Sequence, residues 1–306
     1  MMNKIITPKF NGYAVSNLLA FVLIGLSKLL LDMRGLNAGI FVFSEFVIVP
    51  FLMGIISTWY WKNLQLTGRQ LTGYSCINGL IAIALSYIFL KEGSICLLIV
   101  SPLLLAFIIS GAFAGRAMFR QDNETLNVSV LSLLLLVFVV DSISLHEYKN
   151  EVSDQIIINA PVSKVWPLVV EYDRNTDPDK YWLFKAGMPS PVQSTVDGHY
   201  VGANRKCIFS NGYTFDEKIV TYDINQNLTF DITRQPRDPE IMGHIDIIRG
   251  QFILKDNHNG TTTLIGNSWY KLYVFPTWYY DWWAESITRN VHLRVMDHIK
   301  HLSEKK

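Results

Sequence analysis

The sequence predicts an α-helical transmembrane region of about five spans, followed by an α+β domain in which a curved antiparallel sheet packs on a long C-terminal helix. Charge is the first observation behind this prediction. Residues 1–146 contain nine Lys or Arg and six Asp or Glu, whereas residues 147–306 contain eighteen and twenty. The order of patterns is the second, because several strand patterns before one amphipathic helix are typical of α+β domains. We therefore divide the chain into a transmembrane domain, 1–146, and a water-soluble domain, 147–306.

Apolar runs close to the ~20 residues that cross a bilayer occur five times in the first half. They are Tyr13–Met33, Ala38–Ser57, Cys76–Leu90, Ile95–Gly115 and Leu126–Leu145. The third run is short, and only residues 91–94 separate it from the fourth. This pair forms either a tight helical hairpin, which gives five spans, or a re-entrant loop, which gives four. Gly111 and Gly115 have the spacing that allows close helix packing in membranes.

The charges between the spans predict the orientation of the chain. With five spans, one side carries six basic residues, and the other carries Arg34, Lys91 and Lys149. The positive-inside rule then places the N-terminus in the cytoplasm. Five crossings place the C-terminal domain on the non-cytoplasmic side. The protein is thus predicted to be integral to a membrane.

The first part of the soluble half predicts a strand, a helix and a hairpin. A strand pattern at Asp154–Asn159 leads into Pro161, which suits the start of a helix that Pro167 keeps short or kinked. A loop-rich stretch follows, and the next strands turn at Asn211-Gly212, a strong hairpin signal. A two-residue turn there places Lys206 opposite Glu217.

The remaining patterns complete the sheet and the final helix. Asn227–Arg234 alternates as a strand does, and a second long hairpin turns at Asn257–Gly260. An amphipathic helix is predicted over Thr277–Ser303, with its apolar positions in one stripe. A curved sheet on one long helix leaves a cavity between them, which is the natural ligand site.

Two groups of residues resemble a known superfamily. The opening pattern is Ile156, Ile158, Ala160-Pro161 and Val165-Trp166, and the closing patterns are Gly250-x-Phe252-x-Leu254 and Gly260-Thr261-Thr262-x-Leu264. Together they resemble the START/Bet v 1-like (SRPBCC) superfamily, which includes polyketide cyclases and dehydrases. The stretches WLFKAGMPSP, VGANRKCIFSNG, GNSWYKLY and NVHLRVMDHIKHLSE are similar to a bacterial subgroup in which such a domain follows several membrane spans.

The resemblance covers about residues 152–304 and implies a helix-grip fold with a hydrophobic pocket. It also implies location in a bacterial inner membrane. Superfamily membership does not fix one chemistry, because function depends on the residues that line the pocket. One departure lies in the Asn211–Glu217 hairpin, which is one residue longer than the usual pattern and leaves the register of Asp216 and Glu217 open.

Three polar residues are the catalytic candidates. Arg205 and Glu217 lie in the first hairpin, where a guanidinium could fix a ligand oxygen and a buried carboxyl could act as a general acid or base. The alternative is a surface ion pair, Lys206 with Glu217. His292 on the last helix could form a polar edge of the pocket. Cys207 shares a strand face with Arg205, and we interpret it as a small buried residue.

Aromatic residues supply the predicted binding surface. The ligand-binding candidates are Trp182, Phe184, Arg205, Phe209, Phe252, Trp269 and Tyr273. A second aromatic group, at positions 278–283, either rests on the bilayer or closes the mouth of the pocket.

No metal site and no cofactor are predicted. His292, His298 and His301 spread over too wide an arc of the last helix to bind one ion, and the last two are expected to face water. The three cysteines form no zinc spacing. A net charge of +1 gives no electrostatic footprint for nucleic acid.

Three functions remain open from the sequence. The leading hypothesis is a membrane-anchored module that binds a hydrophobic small molecule or a lipid. The second is a cyclase or dehydratase acting on a polyketide-like substrate, and whether the protein is an enzyme stays open. The third is a partner-binding component of a membrane complex.

Overall fold

The computed structural model describes residues 2–34, 44–91, 93–120, 148–236, 244–274 and 276–305, together with residues 132, 135 and 136. The chain divides into two compact units. The first consists of Met1–His146 with Tyr273–Pro276, and the second consists of Glu147–Leu272 with Thr277–Lys306.

The first unit is helical where it is described. Its helices are α1 (Met2–Arg34), α2 (Val49–Trp61), α3 (Gly68–Leu85) and α4 (Ser94–Arg120). Three segments are long and apolar enough to cross a membrane by length and composition: Thr7–Leu26, Gly68–Leu90 and Ser94–Phe119. The described residues therefore do not support the five spans that the sequence predicts.

Two of the predicted spans differ from the structure for identifiable reasons. The span predicted at Cys76–Leu90 begins eight residues earlier, at Gly68, because Thr67 and Gln70 form a capping box that starts the helix within polar sequence. With a π turn that extends it to Leu90, this segment has 23 residues and is no longer too short to cross.

Of the run predicted at Ala38–Ser57, the described part is a π-helical turn at Ser44–Ile48 and the beginning of α2, which has 13 residues. The beginning of that run lies outside the described residues. So does almost all of the run predicted at Leu126–Leu145.

The second unit contains one seven-stranded sheet, and every pair of neighbouring strands is antiparallel. The spatial order is β1-β7-β6-β5-β4-β3-β2. The strands are β1 (Tyr148–Ile158), β2 (Pro191–Val196), β3 (Asn204–Phe209), β4 (Thr214–Asp223), β5 (Asn227–Arg234), β6 (Ile245–Asp256) and β7 (Thr262–Leu272). Register shifts in β2, β4 and β6 mark bulges, which bend a sheet.

One long helix lies on the concave side of this sheet. Helix α7 (Thr277–Glu304) contacts β1 and β7 near one edge and β2 at the other. Two short helices, α5 (Val162–Val170) and α6 (Trp182–Lys185), connect β1 to β2. The core contains Val165, Trp166, Leu228, Phe252, Leu264, Met296 and Ile299. A curled antiparallel sheet around a C-terminal helix confirms the α+β part of the predicted fold class.

The first hairpin corrects the predicted register. Gly212 adopts φ +86°, its N–H bonds to the carbonyl of Phe209, and the Phe209 N–H bonds to the carbonyl of Tyr213. This is a three-residue loop, a type I turn followed by a left-handed glycine. The two-residue prediction was therefore wrong by one position, and Arg205, not Lys206, lies opposite Glu217.

Element boundaries elsewhere agree in part. The strand Asn227–Arg234 is confirmed, and the final helix extends one residue beyond its predicted end. Helix α5 is short, as Pro167 predicts. Strand β1 begins six residues earlier than predicted, and the stretch interpreted as loop contains α6 and the start of β2.

Candidate functional site

A pocket of about 180 Å³ lies between the sheet and α7 within the second unit. Its walls come from β3 to β7, from one face of α7 and from the segment around Met188. Most of the lining is apolar. The polar side chains that reach it form two groups, one around Arg205 on β3 and β4, the other around His292 on α7.

A buried ion pair forms the first polar group. Arg205 and Glu217 face each other across β3 and β4, and the Arg205 Nη1 contacts the Glu217 Oε2. Both side chains are buried, 3% and 5% exposed. Arg205 Nε also donates to the carbonyl oxygen of Val170, at 3.1 Å. Arg205 is therefore held by two contacts, and the pair is not the surface ion pair considered from the sequence.

Burial governs the ionisation of this pair. Desolvation raises the pKa of the Glu217 carboxyl above its usual range, and the charge of Arg205 opposes that rise. Desolvation lowers the pKa of Arg205, but Glu217, Cys207 and Tyr172 together raise it by more, so the guanidinium stays charged. Glu217 can thus hold a proton at a higher pH than a solvated carboxyl does.

Phe230 lines the pocket next to the first polar group. The Arg205 Cζ lies 4.6 Å from the centroid of the Phe230 ring, a cation–π contact. On the other side, the ring covers Gly250, where an added Cβ would come within 2.5 Å of ring atoms. Gly250 therefore makes the space that lets Phe230 lie flat on the sheet.

Tyr172 and Cys207 complete the first group. The Tyr172 hydroxyl is buried and has no hydrogen-bonding oxygen or nitrogen among the described residues, and its polar neighbour is the Cys207 thiol. Burial raises the pKa of Cys207 to about 12, so the thiol is not a ready nucleophile. Burial also raises the pKa of Tyr172. The phenol keeps its proton, and no oxygen or nitrogen atom of the described residues accepts it.

The second polar group is a chain of three side chains. His292 Nε2 lies 2.6 Å from Ser268 Oγ, and His292 Nδ1 lies 3.3 Å from Asp154 Oδ2. Asp154 Oδ1 accepts a bond of 2.6 Å from Arg289 Nη1. Ser268 and His292 line the pocket, whereas Asp154 lies behind them on β1. The imidazole is thus held between a hydroxyl and a buried carboxylate.

The structure separates the predicted site residues into two sets. Arg205, Glu217, His292, Phe209 and Phe252 all line the pocket. Their roles in binding or catalysis stay predictions.

The other predicted ligand contacts lie elsewhere, for reasons of strand alternation and connectivity. Trp269 points away from Ser268 to the outer face of β7, where it is opposite Glu151 and Arg249. Trp182 is half-exposed, and Phe184 borders a second, more open pocket. Tyr273 follows the end of β7.

Of the two later histidines, His301 faces water as predicted and His298 does not. His298 is buried, and its ring nitrogens lie 3.3 Å from Asp177 Oδ2 and 3.2 Å from the carbonyl oxygen of Asp173. The loop between α5 and α6 covers this side of α7, which the helical pattern alone cannot show. His301 is half-exposed and contacts the same Asp177. Among the described residues, no group of three or more His, Cys, Asp or Glu could hold a metal ion.

Sequence reasoning missed Asp154, Tyr172 and Ser268. A signal for two of them exists in the strand alternation: Asp154 shares the inward face of β1 with Ile156 and Ile158, and Ser268 shares that of β7 with Leu264 and Tyr270. A polar side chain on an otherwise apolar strand face marks a buried polar site. Tyr172 follows α5, and no periodic pattern predicts its place.

The sequence matches no protein-family model and no curated protein. Among solved structures, the chain is similar to truncated norcoclaurine synthase from Thalictrum flavum, with 10% identity, 53% of this chain and 98% of that one covered, and a TM-score of 0.37.

Two further structures are similar to a comparable degree. The Zhui aromatase/cyclase from Streptomyces sp. R1128 has 11% identity, 51% and 94% coverage, and a TM-score of 0.36. An uncharacterised protein from Bacillus thuringiensis has 12% identity, 51% and 100% coverage, and a TM-score of 0.37. The fold assignment rests on this chain's own strand order, its bent sheet and the helix that the sheet surrounds.

Proposed function

We propose that the second unit binds a compact, apolar, uncharged molecule that carries an oxygen atom, and that the helices of the first unit anchor it to a membrane. The observation that carries this proposal is the Tyr172 hydroxyl, a buried donor in an apolar pocket. Among the described residues it has no oxygen or nitrogen partner, and it lies near the Arg205–Glu217 pair. A buried polar group without a partner costs about 1–3 kcal/mol. A ligand oxygen that accepts from Tyr172 would remove that cost.

Pocket size limits the ligand class. An apolar cavity of about 150 Å³ is known to hold benzene, and this pocket measures about 180 Å³. It therefore suits one ring or two fused rings. A whole membrane lipid exceeds this volume, so of the two ligand classes predicted from the sequence, the small molecule is favoured over the lipid.

Charge balance also limits the class of ligand that the pocket can bind. Arg205 and Glu217 carry opposite charges that already neutralise each other at close contact. An anionic ligand would leave one buried negative charge without compensation, which is costly in an apolar environment. A phenol or a ketone adds no net charge and can still accept a hydrogen bond.

The binding proposal predicts a specific order of affinities. Full-length protein in lipid nanodiscs should bind 2-naphthol about tenfold more tightly than naphthalene, because one hydrogen bond contributes about 1–1.5 kcal/mol. Tyr172→Phe should abolish that difference and leave naphthalene binding unchanged. Titration of the ligand fluorescence measures both constants. 2-Naphthoate should bind more weakly than 2-naphthol, because it brings a charge.

Tyr213→Phe is the matched control, since Tyr213 also lines the pocket but is 36% exposed. It should retain the preference for 2-naphthol. If none of the three compounds bound to the folded protein, the proposal would be refuted. Equal affinities for naphthol and naphthalene in the unmodified chain would refute the role of Tyr172.

The membrane location and the side of the soluble unit form a separate part of the proposal. We propose that this unit lies on the non-cytoplasmic side, which the charge bias predicts for any odd number of spans. Cys207 is a poor reporter because it is only partly exposed and lines the pocket. A cysteine introduced at Asn259, in the exposed turn between β6 and β7, should react in intact cells with a membrane-impermeant maleimide. Reaction only after lysis would place the unit in the cytoplasm.

The two alternative functions keep distinct outcomes. A cyclase or dehydratase would use Arg205, Glu217 and His292 on a bound ring, so the same pocket would have to turn over a substrate. A partner-binding component would need no small ligand. Failure of every aromatic probe to bind would favour it.

A further inference from the structure

We propose that Ser268, His292 and Asp154 form a nucleophilic site that cleaves small carboxylic esters bound in the pocket. This inference rests on the proposed function in one respect, since the pocket must admit a compact apolar molecule. It goes beyond that function because it assigns a covalent reaction. The three residues come from β7, α7 and β1, so the tertiary fold alone brings them together.

Their contacts have the order of a serine nucleophile, a base and an orienting carboxylate. Ser268 Oγ lies 2.6 Å from His292 Nε2, and Asp154 Oδ2 lies 3.3 Å from His292 Nδ1. A base within about 2.6–3.2 Å of a hydroxyl can take its proton, and contacts of this kind are often looser without substrate. With Nδ1–H directed at Asp154, Nε2 is the acceptor for the serine proton.

The nucleophile is accessible from the pocket, and the other two residues are buried, as the proposed reaction requires. Ser268 is half-buried and faces the pocket, so a bound ester can reach its Oγ. The side chains of His292 and Asp154 are each only 6% exposed, which removes competing water from their contact. Arg289 bonds the other oxygen of Asp154 at 2.6 Å and so restrains the carboxylate.

The reaction balances without any additional cofactor. Ser268 Oγ attacks the ester carbonyl carbon as its proton moves to His292 Nε2. Collapse of the tetrahedral intermediate breaks the bond to the alcohol, which leaves with that proton, and the acyl group stays on Ser268. Water then gives one proton to His292 and its hydroxide to the acyl carbon. The bond from the acyl carbon to Ser268 Oγ breaks, the acid leaves, and His292 returns its proton to Oγ. Thr288, one helical turn before His292, also lines the pocket.

The expected substrates follow from the pocket. A volume of about 180 Å³ accommodates an aryl acetate or another short acyl ester, but not a long-chain one. Ser268 and His292 are the catalytic residues in this assignment. Asp154 is a positioning residue, because it acts through His292.

Covalent labelling tests the nucleophile directly. Full-length protein in nanodiscs should react with diisopropyl fluorophosphate, in which Ser268 displaces fluoride at phosphorus, and peptide mass spectrometry should place the adduct on Ser268. The protein should also hydrolyse 4-nitrophenyl acetate with an initial burst of nitrophenolate. Ser268→Ala should abolish the adduct and lower kcat/KM by about 100-fold or more.

Matched variants separate orientation from folding. Ser153→Ala removes an exposed serine next to Asp154 and should leave labelling and hydrolysis unchanged. Asp154→Asn should lower kcat by about tenfold or more, with KM and 2-naphthol affinity unchanged, because it disturbs the imidazole and not the pocket. Arg289→Gln removes the ion pair but keeps the carboxylate, so its loss of kcat should be smaller.

Two outcomes would overturn the inference. One is protein that binds 2-naphthol but gains no adduct at Ser268, which leaves the proposed binding function intact. The other is hydrolysis that persists in Ser268→Ala. A loss in Arg289→Gln as large as that in Asp154→Asn would overturn the assignment of Asp154 alone.

Discussion

Arg205→Met should lower the free energy of unfolding of the second unit by about 3–5 kcal/mol, because it leaves the buried Glu217 carboxylate without its counter-charge. Hydrogen exchange of the β3 and β4 amides in the full-length protein measures the loss. The double variant Arg205→Met/Glu217→Leu should recover most of it, since apolar replacement of a whole buried pair is often neutral.

The loss should depend on pH in a defined direction. Burial already raises the pKa of Glu217, and removal of Arg205 raises it further. A carboxyl whose pKa is higher in the folded than in the unfolded state binds more protons when folded. Its stabilising protonation is complete below the unfolded pKa and is lost as the pH rises through the folded value. The variant should therefore be closest to the unmodified protein near pH 4 and furthest from it near pH 8.

Arg234 supplies the control for this experiment. It pairs with Asp216 at 2.8 Å on the neighbouring strands, but its side chain is 77% exposed. An exposed pair contributes about 0–1 kcal/mol, so Arg234→Met should change stability little. Equal losses of unfolding free energy in the two variants would show that burial does not increase the contribution of the Arg205–Glu217 pair to stability.

The comparison of hairpin and sequence shows which features a pattern can predict. Alternation identifies β3 and β4 as strands, and Asn211-Gly212 correctly marks the turn. The same dipeptide, however, fits a two-residue loop and a three-residue loop that ends in a left-handed glycine. These loops differ by one position, and a shift of one position exchanges the two faces of a strand. Whether Arg205 or Lys206 meets Glu217 therefore depends on turn geometry and not on composition.

The second polar group shows that sequence patterns do not predict contacts between residues far apart in the chain. The position of His292 beside the apolar stripe of the helix identifies it as a candidate, but its partners are separated from it by 24 and 138 positions. Only the pairing of β1 with β7, and the position of α7 over both, brings Asp154 and Ser268 to one imidazole. The burial of His298 has the same origin, because a loop distant in sequence covers it.

In the first unit, too, composition predicts the type of secondary structure, and only the structure shows which helices pack together. Apolar composition identifies the helical character of the first unit, and the spacing of Gly111 and Gly115 allows a close helix contact. The structure adds the partner helix, α2, and its Gly54, which no repeated spacing marks.

Gly111→Ala should therefore strongly destabilise the first unit. A Cβ at Gly111 would lie 2.0 Å from the carbonyl oxygen of Phe51 on α2, and a Cβ at Gly54 would lie 2.1 Å from the carbonyl oxygen of Ile108 on α4. Both obstacles are backbone atoms, so α2 and α4 would have to separate. Overpacking costs about 1–3 kcal/mol even where flexible side chains can adjust, and small residues are what permits such close contact in membranes.

The measurement is the thermal midpoint of the full-length protein in detergent. Unfolding is detected as the temperature rises by the reaction of Cys96 on α4 with a thiol-reactive dye. Gly73→Ala on α3 is the control, because a Cβ there meets nothing within 4 Å. Alanine is also the better helix former by about 1 kcal/mol, so this variant should be neutral or more stable. If Gly111→Ala matched it, the close contact between α2 and α4 would not contribute to stability, and the glycines would have to be explained by something other than packing.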